Sequence, residues 1–173
     1  DRGFFYESYN KNNLDKIVNV VFVQDNESKS YKGVIRGLHF QAPPVAQGKL
    51  VQVIKGAVLD VVVDIRKDSA TYGQHFKIEL TEKNKTIFWI PPGFAHGFLT
   101  LADDTIFSYK CTDYYNPKAE GSVNWNSPSL KITPFTEAVC AKANRGKRKV
   151  NSFIRLVFIV NVFNFYMFCR YQL

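Results

Sequence analysis

The sequence predicts an all-β fold (a sandwich, barrel or jelly roll) with minor helical segments. Three observations predict it: short runs rich in Val, Ile and aromatic residues, polar or glycine-bearing turns between them at regular spacing, and very little helical periodicity. Taken in chain order, only Asn12–Ile17 reads as helix. Val20–Val23 and Val34–Phe40 read as strands. Lys49 to Ile65 (KLVQVIKGAVLDVVVDI) is broken by Lys55-Gly56, as two strands about a turn would be. His75–Leu80 and Thr86–Ile90 flank the polar turn Thr81-Glu-Lys-Asn-Lys85 and predict a hairpin. Phe98–Leu101 and Thr105–Tyr109 flank Asp103-Asp104 in the same way.

Composition narrows the functional classes. The 173 residues are 46% hydrophobic and 22% charged, which suits one globular core and excludes disordered or collagen-like chains. Residues 1–135 carry 16 Lys/Arg against 14 Asp/Glu, whereas residues 136–173 carry 7 against 1. The net charge of +8 therefore belongs mainly to the C-terminal end, and nucleic-acid binding by the body is not expected. Cys111, Cys140 and Cys169 form no CxxC pair, which argues against a disulfide scaffold or a thiolate zinc site and fits a reducing, cytoplasmic setting. The opening Asp1-Arg2-Gly3 is not a secretory leader, and the lack of an initiator Met points to a longer N-terminus.

The expected organisation is a body over 1–135 and an atypical tail over 136–173. Ala141–Val150 (AKANRGKRKV) is a basic run, and Phe153–Phe168 places five Phe among Ile, Val and Asn. A membrane span is not expected, because Phe153–Cys169 is short and contains Arg155, Asn161 and Asn164. The break in texture favours a non-native or poorly ordered end over an extra packing element.

Three segments could carry chemistry: Gly33-Val-Ile-Arg-Gly-Leu-His39-Phe-Gln41, Ile90-Pro-Pro-Gly-Phe-Ala-His96-Gly-Phe98, and Phe107-Ser-Tyr109-Lys-Cys-Thr-Asp-Tyr-Tyr115. The first two resemble the paired motifs of a cupin-type jelly roll, the double-stranded β-helix. Its first motif carries His-x-His, and its second a His after a Pro-x-Gly turn. Gln41 stands in place of the second His, so this chain offers two of the expected imidazoles where a metal needs three or four ligands. A metal-free site is expected. Arg36 and His39 are an odd number apart, so a regular strand would put them on opposite faces. Both reach one pocket only if the strand bulges between them, where Gly37 stands.

Longer stretches sharpen the resemblance: Asp1-Arg-Gly-Phe-Phe-Tyr-Glu-Ser8, Phe22–Asn26, Gly33–Gln41, Gln47–Val51, Val61–Arg66, Trp89–Phe98, Tyr109, Tyr114-Tyr115, Glu120-Gly121 and Trp125-Asn126. Over Asp1 to Ile132 the chain resembles the dTDP-4-dehydrorhamnose 3,5-epimerases, sugar-nucleotide epimerases of the cupin superfamily that use no cofactor. The resemblance implies conversion of dTDP-4-dehydro-6-deoxy-D-glucose to dTDP-4-dehydro-L-rhamnose in dTDP-L-rhamnose biosynthesis. It implies His39 as base, Tyr109 as acid and Lys49 as the cation facing the enolate oxygen. These types suit the chemistry. Imidazoles titrate near pH 6.5, phenols are protonated at neutral pH, and a cation in a dry pocket stabilises developing negative charge. Arg2 and Arg36 are the phosphate candidates, since guanidinium binds phosphoryl oxygens in a fork. Glu7, Gln24, Asp25, Asn26, His96, Tyr115 and Glu120 match substrate-contacting positions, whereas His75 matches none. The implied partners are a dTDP-sugar substrate and a second copy in a homodimer.

The chain departs from the family pattern in two places. The family's N-terminal strand, which precedes the Asp-Arg-Gly segment, is not in this sequence. Its C-terminal Ser-x-Lys-Asp-like motif, whose Asp orients the catalytic His, is not found, and after Thr133 only Glu137 is a carboxylate. Asp64 is another carboxylate considered beside His39, although nothing in the sequence places it there. The rival readings are a single-centre epimerase, a catalytically impaired sugar-nucleotide-binding cupin, and a membrane-associated protein acting through its tail.

Overall fold

The computed structural model describes residues 2–130 and 132 in full, and the backbone alone of 154–159 and 166–171. The expected character of residues 136–173 otherwise lies outside the described residues. One helical turn, α1 (Lys11–Leu14), precedes β1 (Gln24–Ser30), β2 (Ile35–Gln41), β3 (Lys49–Lys55) and β4 (Ala57–Asp64). Then follow β5 (His75–Thr81), β6 (Thr86–Ile90), β7 (Phe94–Thr100), β8 (Thr105–Cys111), β9 (Glu120–Ser122), β10 (Ile154–Ile159) and β11 (Tyr166–Tyr171). They form two sheets, ordered β1-β8-β3-β6-β10-β11 and β5-β4-β7-β2-β9. Successive strands fall in different sheets at several points, which makes the sandwich a cupin-type jelly roll.

Side-chain alternation builds the core. Val51, Val53, Phe88, Ile90 and Phe107 point inward from the first sheet and meet Val58, Val62, Leu80, Phe94 and Phe98 from the second. β4, β6 and β7 read as continuous apolar runs because their outer faces are covered too. Leu14, Ile17, Val20 and Phe22 pack over Leu50, Ile87 and Trp89 on the first sheet. Val123, Trp125, Leu130 and Ile132 pack over Val61, Val63, Ala95 and Leu99 on the second. Among the described residues, no helix is long and apolar enough to cross a membrane.

Most expected strands and turns are present, with three corrections. The turns at Thr81–Lys85 and Asp103-Asp104 do not close hairpins: β5 pairs with β4 and β6 with β3, and β7 and β8 likewise lie in different sheets, so each turn is a crossover between the two layers. Val20–Val23 is not a strand: Val20 and Phe22 serve as cover for the first sheet, and the strand is the polar segment that follows. β1 sits at a sheet edge, and its alternating burial leaves few positions that need apolar side chains. β7 begins at Phe94 rather than Phe98, because the chain resumes pairing with β4 directly after the Pro-Pro-Gly turn. The β3–β4 turn requires Gly56, whose φ of 83° is left-handed and where a Cβ would overlap Thr105.

The expected bulge in β2 is present, and it shapes the site. The β2–β7 register shifts between Arg36 and His39. Gly37 adopts φ 114°, and a Cβ there would lie 2.5 Å from the Gly97 Cα. The shift turns Arg36 and His39 into the same cleft.

Asp64 at the end of β4 does not approach His39. Its carboxylate accepts from Arg66 Nε (2.9 Å) and Nη2 (2.7 Å), Ser69 Oγ (2.6 Å) and Thr71 Oγ1 (2.6 Å), closing the turn after the strand. Although burial acts against it, these donors hold the carboxyl well below its ordinary value of 3.8. A depressed folded-state value adds stability above about pH 4, and that stability is lost as pH falls. Asp64→Asn is expected to cost about 1.5–3 kcal/mol at neutral pH. In thermal melts its gap from the parent should narrow at pH 3; an equal gap at both pH values would contradict this account.

Candidate active site

A cleft of about 560 Å³ opens between the two sheets at one end of the sandwich. The first sheet supplies Asn26 from β1, Lys49 from β3 and Tyr109 from β8. The second supplies Arg36 and His39 from β2 and His96 from β7, while Tyr115 and Glu120 stand at the rim. Strand register brings them together: Asn26 pairs with Tyr109, Tyr109 with Val51, and His39 with His96.

His39 is half exposed to the cleft, with Nδ1 3.6 Å from Glu120 Oε1. Facing it from the other sheet, Lys49 Nζ lies 5.9 Å from the centroid of the Tyr109 ring. Burial pushes the Tyr109 phenol above its ordinary value, which keeps it protonated as a donor. Burial pulls the Lys49 ammonium below its ordinary value, opposed by Cys111, Asp60 and Glu120. Arg36 Nε donates to Ser30 Oγ at 2.9 Å, which steadies the guanidinium against the end of β1. The Tyr115 hydroxyl donates to Glu120 Oε2 at 2.7 Å.

Beneath the cleft lies a pair that the sequence reading missed. Asp60 Oδ2 is 2.9 Å from His96 Nε2, with the side chains 0% and 7% exposed. Burial raises the Asp60 carboxyl, while His96 and Lys49 pull it down. Two signals pointed to it: a lone Asp inside the apolar run Val58-Leu-Asp-Val-Val-Val63, and the rule that buried charges are paired.

Other expected site residues fall elsewhere. Gln24 sits behind the rim, donating to Asn26 Oδ1 and accepting from the Tyr115 N–H. Asp25 faces outward and pairs with Lys110 at 2.9 Å. Arg2 and Glu7 are exposed on the arm before α1, outside the cleft lining, where Phe4 and Tyr6 pack against Lys85 of the β5–β6 turn. His75 is half-buried on the edge strand β5, away from the cleft.

The donor set does not suit a metal. Among the described residues, no three His, Cys, Asp or Glu side chains converge. Asp60 occupies His96 Nε2, and main-chain groups occupy the Gln41 amide. What the cleft does present is an imidazole on one sheet, and a phenol and an ammonium on the other.

Fold and cleft together define a cupin-type jelly roll built for acid–base chemistry on a small molecule. Residues 1–149 match the family described as dTDP-4-dehydrorhamnose 3,5-epimerase. The chain belongs to that family. It is 52% identical over 140 residues to the dTDP-4-dehydrorhamnose 3,5-epimerase of Salmonella typhimurium, covering 79% of this chain and 76% of the relative. The solved dTDP-6-deoxy-D-glucose-3,5-epimerase of Legionella pneumophila, in complex with dTDP-4-keto-L-rhamnose, superposes with a TM-score of 0.72 at 48% identity, covering 77% and 71%. The Bacillus anthracis dTDP-4-dehydrorhamnose 3,5-epimerase, with TDP and PPi bound, superposes at 0.73 and 48% identity, covering 77% of each chain.

Proposed function

We propose that this chain epimerises dTDP-4-dehydro-6-deoxy-D-glucose at C3 and C5, giving dTDP-4-dehydro-L-rhamnose. The C4 ketone acidifies the protons on both neighbouring carbons. The His39 imidazole takes one of them; the C–H electron pair forms a double bond to C4, and the carbonyl π pair moves onto the ketone oxygen as an enolate. Lys49 faces that oxygen and offsets its charge. The Tyr109 hydroxyl returns a proton to carbon from the opposite face, which inverts the centre. Arg36 is the candidate for the diphosphate, and the exposed Tyr115 ring for the base. The observation that carries this reading is that the base and the acid come from facing sheets across one cleft. Inversion needs that arrangement, because protons must leave and arrive on different faces.

The test is incubation with dTDP-4-dehydro-6-deoxy-D-glucose in heavy water, with deuterium followed by NMR. Label at C3 and C5 is expected. Label at one carbon would make the chain a single-centre epimerase, and none with binding retained would leave a sugar-nucleotide-binding cupin. A homodimer is part of the same proposal. The exposed Phe4 and Phe5 of the arm offer apolar surface for it, and a light-scattering mass of one chain would contradict it.

A further inference from the structure

The loop between β8 and β9 carries Tyr115 at the mouth of the cleft, yet it buries little of its own surface. Tyr114 and Tyr115 are 66% and 55% exposed. Side-chain packing therefore does not hold this loop in place. Glutamines do. Gln47 Nε2 donates to Asp113 O at 2.8 Å, and Gln24 Oε1 accepts from the Tyr115 N–H at 2.9 Å. Gln41 makes the fullest set of contacts. Its Nε2 donates to Tyr114 O (3.0 Å) and Val45 O (2.7 Å), and its Oε1 accepts from the Asn116 N–H (2.9 Å). It is 6% exposed, so its amide grips the main chain on both sides of Tyr115 from inside the protein. Gln41 also lies two residues after His39 on β2, so one strand carries the base and anchors the loop.

We propose that Gln41, at the position where a metal-binding cupin places an imidazole, is a positioning residue for the nucleotide end of the substrate, acting through Tyr115. The proposal rests on the dTDP-sugar reading above. Only a side chain of this length with two donors and one acceptor satisfies both carbonyls and the N–H. An apolar replacement leaves those main-chain groups unpaired, and the loop gives up the conformation that holds the Tyr115 ring.

A double-mutant cycle on dTDP binding, read by titration calorimetry, tests this. Gln41→Met is expected to raise the Kd for dTDP about ten- to a hundredfold, the loss of one or two hydrogen bonds. The Michaelis constant should rise with it, while kcat at saturation changes less than about threefold, the split expected when binding alone is lost. In a Tyr115→Ala background the same change should move Kd less than about threefold, since the ring it positions is already gone. Equal weakening in both backgrounds would mean a general structural role and would overturn the proposal, as would unchanged binding by Gln41→Met. If Gln41→Met does not fold, Gln41→Asn, an amide one methylene too short to span Tyr115, carries the same comparisons. Failure of the parent protein to bind dTDP would overturn the nucleotide reading and this proposal with it. Tight binding by the parent with no effect of Gln41 would overturn this proposal alone.

Discussion

Replacing His39 with asparagine is expected to lower deuterium incorporation at both C3 and C5 by about 10²–10⁴-fold, the usual contribution of a positioned general base. The two carbons should fall together, because one imidazole serves the protons on either side of the ketone. Binding of dTDP should change little, and so should stability, since the ring is half exposed. Exchange surviving within tenfold of the parent would mean that another group is the base. The Asp60–His96 pair beneath the cleft would then be the next candidate, because His96 also lines the cleft. Exchange lost at one carbon alone would divide the two inversions between different bases.

Exchanging Lys49 for methionine is the second large effect, expected at about 10²–10³-fold in kcat, the range found when a group facing a developing oxyanion is removed. The ammonium stands beside the Tyr109 ring, with Asp60 close enough to influence it. Its charge matters most when the enolate forms, so kcat should fall much more than the Michaelis constant rises. Stability should hold, because methionine fills a similar volume and leaves no buried cation to desolvate. Losing the cation also removes one of the two influences that lower the Asp60 carboxyl, so that group should move further up. NMR titration of Asp60 in the two proteins checks this. A Michaelis constant raised a hundredfold with kcat intact would assign Lys49 to ground-state binding instead.

Local chemistry made much of the fold legible. The turns at Lys55-Gly56 and Thr81–Lys85 follow from turn residues between β-branched runs and stand where expected, but each carries the chain from one sheet to the other, so the strands flanking Thr81–Lys85 form no hairpin. The bulge followed from side-chain parity: Arg36 and His39 could share a cleft only if the strand broke step at Gly37. β1 was misplaced because an edge strand facing a polar cleft on one side and water on the other carries almost none of the apolar signal by which strands are read. Asp60 was overlooked because its partner is 36 residues away, and only the register of β4 against β7 sets the two side by side. In the sequence Gln41 reads only as a missing imidazole, because its grip on the loop at 114–116 involves residues more than seventy positions along the chain.

By itself the sequence determined the strand-rich fold and the family, and it named candidate reactive groups, because these depend on residue type and on spacing within short segments. Tertiary structure alone decided which groups meet. It placed the imidazole opposite the phenol and the ammonium, buried Asp60 against His96, sent Asp25 outward and left Arg2 and Glu7 outside the cleft. The physical reason is that crossovers between two sheets and the register of non-consecutive strands set those distances, and neither is written in any local pattern.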